Sequence, residues 1–72
     1  MREVEISREP VELYKILKFE GLMPSGAEAK RVISEGLVQV NGETELRKRR
    51  KIISGDVISF QDETLKIFKS VL

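Results

Sequence analysis

Ser25-Gly26-Ala27-Glu28-Ala29-Lys30-Arg31-Val32-Ile33-Ser34-Glu35-Gly36-Leu37-Val38-Gln39-Val40-Asn41-Gly42 changes its hydrophobic period midway. In the first half Ala29, Val32 and Ile33 recur at helical spacing, and Ser25 with Glu28 has the spacing of a capping box. This predicts a helix over residues 26–35, stopped by Gly36. From Leu37 onward the pattern alternates, with Val38 and Val40 on one side of a strand and Gln39 on the other. Asn41-Gly42 then gives the strongest short hairpin signal, because a type I′ turn needs positive φ at both central residues. A helix that runs directly into a hairpin makes the chain α+β.

Upstream, Glu3-Val4-Glu5-Ile6 alternates like a short, half-buried edge strand. Pro10 fits a first helical turn, and Leu13, Tyr14, Ile16 and Leu17 follow at helical spacing. A first helix is therefore expected over residues 10–20, with Gly21 as its stop and Leu22-Met23-Pro24 as the connector. Downstream, a weak return strand at 43–46 leads into Arg47-Lys48-Arg49-Arg50-Lys51. Ile52-Ile53, a turn at Ser54-Gly55-Asp56, a strand at 57–60, a turn at 61–63 and a strand at 64–68 complete the chain. The expected architecture is a short N-terminal edge strand, then two packed helices followed by a small twisted antiparallel sheet. With no repeat, low-complexity tract or linker, residues 1–72 read as one domain.

Seventy-two residues support one modest core and leave no room for a deep enclosed cleft, so function belongs on the surface. Cysteine and histidine are both absent, which removes disulfides, thiol nucleophiles, ordinary zinc sites and the usual neutral-pH general base. There is no nucleophile elbow, glycine-rich phosphate loop or metal-ligand spacing. The expectation is a protein that is not an enzyme and uses no cofactor, metal or small-molecule substrate. The N-terminal residues alternate charged with apolar side chains, so neither a signal peptide nor a membrane span is expected, and a cytoplasmic location follows.

The formal net charge of +1 is unevenly spread. Residues 1–24 carry −1, residues 25–51 carry +3 and residues 52–72 carry −1. A domain that is nearly neutral overall but locally positive attracts polyanions at one face. On the predicted second helix Ala27, Lys30, Arg31 and Ser34 fall opposite the apolar stripe. Ala27 is small enough to admit a polymer backbone, and the amides around Gly26 and Ala27 form a helix N-terminus of the kind that attracts anions. Glu28 opposes that attraction. Two basic residues on a helix are most simply solubilising charges, whereas five consecutive cations repel one another and point to a polyanionic partner. In an extended segment Arg47, Arg49 and Lys51 would point one way and Lys48 and Arg50 the other. Arginine binds phosphate bidentately and stacks on bases, and lysine adds a mobile point charge. Tyr14 and Phe60 fall on apolar faces and read as core, while Phe19 falls off its helical stripe. No aromatic platform for single strands is evident, so recognition by shape and phosphate is expected.

Residues 25–33, then Gly36, Val38-Gln39-Val40-Asn41-Gly42 and Gly55-Asp56-Val57-Ile58 together resemble the RNA-binding domain named after protein four of the small ribosomal subunit, the alpha-L motif. The resemblance covers about residues 11–60, and the chain is similar in particular to short, freestanding bacterial members. It implies two helices on a small antiparallel sheet, and binding of structured RNA, ribosomal or another folded non-coding RNA, by the second helix and adjacent loop. Carried over by position, it implies contacts from Ser25, Ala27, Lys30, Arg31 and Asn41, to which the residues themselves add Arg47, Lys48, Arg49, Arg50 and Lys51. Many members have arginine where this chain has Gly26 and a less basic segment where it has residues 47–51, which implies that phosphate binding has shifted toward the loop. A monomer is expected. The alternatives are an adaptor that docks an acidic protein on the same face and, ranked below it, a duplex DNA binder, for which no base-reading recognition helix is apparent.

Overall fold

The computed structural model describes residues 1–71. The elements in chain order are β1 (Arg2–Ile6), β2 (Val11–Glu12), α1 (Leu13–Phe19), α2 (Gly26–Ser34), β3 (Val38–Val40), β4 (Glu43–Thr44), β5 (Lys51–Ile52), β6 (Val57–Phe60) and β7 (Glu63–Lys69). A five-stranded sheet has the order β1-β7-β6-β3-β4, and β2 pairs with β5 in a separate two-stranded ribbon.

Helix α2 forms where its pattern places it. The Ser25 hydroxyl accepts from the Glu28 amide at 3.2 Å, and Ala29, Val32 and Ile33 are buried. Gly36 ends the helix with φ +79°, while the Leu37 amide turns back to the Val32 carbonyl. The Asn41-Gly42 turn has φ of 54° and 85° as a type I′ turn requires. Beyond it β3 pairs with β4 and with β6, both antiparallel.

Three expectations are corrected. Helix α1 starts at Leu13, not at Pro10, because Val11 and Glu12 pair as a strand with Ile52 and Lys51. The amides of Leu13 and Tyr14 then donate to the carbonyls of Arg50 (2.9 Å) and Lys48 (3.2 Å), so the basic segment supplies acceptors for the start of the helix. Two strands thus precede the helices, and the order is not simply helices followed by sheet. Strand β1 does occupy an edge, but it runs parallel to β7, with Val4 opposite Ile67. The sheet is therefore mixed. Alternation fixes which side chains turn inward and carries no information on strand direction.

The inner face of the sheet presents Val4, Ile6, Val38, Val40, Ile58, Phe60, Leu65 and Ile67. These pack with Leu13, Ile16, Leu17, Ala29, Val32 and Ile33 of the helices and Ile52 of β5 in one cluster. Apolar burial on this scale holds the two helices to one side of the sheet.

Candidate nucleic-acid interface

Residues 47–50 of the basic segment form a turn and not an extended strand, and only Lys51 enters a strand, β5. The Arg50 amide donates to the Arg47 carbonyl at 3.3 Å, so the expected alternation of its side chains to two faces is not realised. Arg47, Lys48, Arg49 and Lys51 are exposed and Arg50 is half-buried. Four of them, Arg47, Arg49, Arg50 and Lys51, line a shallow open depression of about 530 Å³.

Nor is the run unscreened. Glu45, the one buried charged residue among those described, takes hydrogen bonds from Arg47 Nε (3.0 Å) and Nη2 (3.2 Å) and from Arg50 Nη1 (2.8 Å). The Arg47 amide donates to it as well, at 2.9 Å. These bonds, chiefly those of Arg47, outweigh the effect of burial and lower the Glu45 carboxyl to about 2. Arg49 reaches Glu12 at 3.5 Å. Among the described residues Lys48 and Lys51 have no carboxylate partner.

On α2, Ala27 and Arg31 are exposed and Lys30 is half-buried. Glu28 does not complete a capping box. Its carboxylate bonds Arg31 Nη2 at 2.8 Å, while Arg31 Nη1 reaches Glu35 at 3.0 Å. The hydrogen bonds from Arg31 hold Glu28 below the usual carboxylate range, and those to Glu28 and Glu35 hold the guanidinium firmly charged. With Glu28 turned to Arg31, Ser25 alone caps the helix. Among the described residues the Gly26 and Ala27 amides meet no acceptor.

Tyr14 joins helix and turn. The Tyr14 ring lies 4.6 Å from Lys30 Nζ, 5.3 Å from the Arg49 guanidinium carbon and 6.0 Å from Lys15 Nζ. A Cβ added to Gly26 would sit 3.5 Å from the same ring, so Tyr14 packs at the foot of α2. At the other end of the helix, Gly36 lies beside Leu46 and Thr44, with 3.8 Å from each to a Cβ built there. Tyr14 thus brings Lys30 of α2 beside Arg49 of the basic segment, and Arg31 follows Lys30 on the helix. Of the seven cations on α2 and residues 47–51, Arg31 pairs with Glu28 and Glu35, Arg47 and Arg50 with Glu45, and Arg49 with Glu12, while among the described residues Lys30, Lys48 and Lys51 pair with none; the seven positive and four negative charges leave +3.

Asn41 lies at the far end of β3 from Glu45. The Glu45 amide bonds the Val38 carbonyl at the start of β3, whereas Asn41 follows its end. Its side chain is committed there, donating to Asp56 at 3.0 Å and accepting from the Val57 amide at 2.9 Å.

Sequence reading missed Glu45, Glu12 and Tyr14. The signal for Glu45 was its place two residues before a run of cations. Tyr14 had no comparable signal, because its helical spacing matched that of the core. A second depression, about 490 Å³ between β1 and α1, has a mixed lining that includes Glu5, Arg8, Glu12, Lys15 and Glu20 beside Phe19, which is 69% exposed. Its balance of signs does not favour a polyanion.

Comparison with known proteins gives a consistent picture. The family model described as "S4 domain" matches residues 4–68. The Escherichia coli (strain K12) protein called "Putative RNA-binding protein YbcJ" is 47% identical over 57 residues, 79% of this chain and 81% of that one. The Bacillus subtilis (strain 168) protein called "Probable ribosome maturation protein RlbA" is 36% identical over 58 residues, 81% of this chain and 82% of that one. The solution structure of E. coli YbcJ, described as an alpha-L motif involved in RNA binding, superposes with a TM-score of 0.72 at 42% identity, covering 94% of this chain and 87% of that one. A pseudouridylate synthase crystal structure matches with a TM-score of 0.69 at 27% identity, over 78% of this chain but 24% of the enzyme.

Proposed function

The chain belongs to the S4 domain family, and from that premise we propose that it binds structured RNA through the face built by α2 and the 47–51 turn. The observation that carries this reading is the continuity of that face, in which Tyr14 joins Lys30 of the helix to Arg49 of the turn. Positive charge on one side of a nearly neutral domain suits a polyanion approached from one direction. Lys30, Lys48 and Lys51 supply point charges, the arginines supply forks that fit phosphate, and Ser25 and Ala27 border the open amides at the helix start. Asn41, already bonded to Asp56 and Val57, contributes the shape of its turn rather than a phosphate contact.

The RNA is ribosomal or another folded non-coding RNA. Support comes from two relatives, one named as RNA-binding and the other for ribosome maturation. The protein acts as a binding module without catalysis: its likeness to the pseudouridylate synthase extends over 24% of that enzyme. The test is fluorescence anisotropy with folded ribosomal RNA fragments across a salt series. The expected result is binding whose log Kd depends linearly on log salt, with the slope reduced by about 1 for each of Lys48→Ala and Lys51→Ala. Recovery of a protein partner that survives nuclease treatment, with no salt-dependent RNA binding, would instead support an adaptor.

A further inference from the structure

Glu45 stands where a polyanion-binding face would be expected to exclude a carboxylate. It is 6% exposed, yet it is bonded by Arg47, whose side chain is 74% exposed, and by Arg50, whose side chain is 30% exposed. The anion is thus buried, Arg47 faces outward and Arg50 is half-buried beside it. Of the five side-chain N–H groups on each arginine, Arg47 spends two on Glu45 and Arg50 one, so both keep donors for a second acceptor.

The backbone beneath is held largely by other groups, with the Arg47 amide alone bonded to Glu45. The Arg50 amide closes the turn on the Arg47 carbonyl, and the Lys48 and Arg50 carbonyls are held by the first amides of α1. Beyond its bond to the Arg47 amide, for which the glutamine of Glu45→Gln also offers an acceptor oxygen, Glu45 orients two guanidinium groups on one turn. Without it they would repel each other and sample many rotamers, and ordering them would count against binding.

We propose that Glu45 is a positioning residue for RNA binding, orienting Arg47 and Arg50 toward phosphate so that removing this negative charge weakens binding even though it makes the face more positive. The inference rests on the RNA-binding reading. A purely electrostatic face behaves in the opposite way, since loss of an anion beside bound phosphate tightens the complex.

The experiment is anisotropy with a folded ribosomal RNA fragment, comparing wild type, Glu45→Gln, Arg47→Ala/Arg50→Ala and the triple variant across a salt series below their unfolding temperatures. Glu45→Gln should weaken binding roughly tenfold with a shallower salt slope, and should add nothing further once both arginines are gone. Affinity that is unchanged or tighter in Glu45→Gln overturns the proposal, including the case where only the unfolding temperature falls. Should Glu45→Gln not fold, the Arg47 Nε–H resonance of the wild type decides. A resolved signal in the free protein that moves on RNA addition supports positioning, and one that stays still overturns it. A wild type that binds no RNA overturns the function as well, so the two failures are distinguishable.

Discussion

At Tyr14 a half-buried ring on α1 meets cations from three segments, Lys15 beside it, Lys30 on α2 and Arg49 on the basic turn. Cation–π contacts of this kind contribute about 0.5–1 kcal/mol each at exposed sites. Tyr14→Leu keeps most of the packing and removes the π face, so RNA affinity should fall about threefold and stability by about 1–3 kcal/mol, as read by anisotropy and calorimetry. Lys30, Arg31 and the basic run were readable as candidates from charge alone. Their joining was not, because Tyr14 shares the spacing of core residues and is separated from Arg49 by 35 positions in the chain.

Glu45 yields a pH prediction at the same scale. Its carboxyl lies near 2 in the folded chain against an ordinary 4.5, so its stabilisation is complete above about 4.5 and is lost as pH falls toward 2. Up to about 3 kcal/mol is at stake. Urea unfolding should show stability declining between pH 4.5 and 2.5, with a smaller decline in Glu45→Gln. An equal decline in both would place the acid sensitivity elsewhere.

Among the elements, α2 was the most legible, since its cap at Ser25, its stripe of Ala29, Val32 and Ile33, and its stop at Gly36 all lie within twelve residues. Ser25→Ala should cost about 1 kcal/mol of stability, measured by chemical denaturation, because the Glu28 amide loses its acceptor. The start of α1 was not legible. Pro10 offered a plausible first turn, but strand β2 captures Val11 and Glu12 through a partner forty residues away. Distance also hides the parallel pairing of β1 with β7. The side-chain pattern is the same in either direction, and the choice is made where the chain returns to the sheet.

At the scale of the whole molecule, extents of 36 × 22 × 18 Å leave room for one modest core, so specificity is expressed on a surface. Two faces compete for that role, the cationic one of α2 and residues 47–51, and the mixed groove between β1 and α1 with exposed Phe19. Among the described residues no helix is long and apolar enough to cross a membrane. The most direct test of the central claim is an NMR titration of the labelled protein with a folded ribosomal RNA fragment, following every backbone amide. The largest shifts should fall on residues 25–31 and 47–51 and shrink together as salt rises. Shifts centred on the β1/α1 groove, or none at all, would contradict the claim.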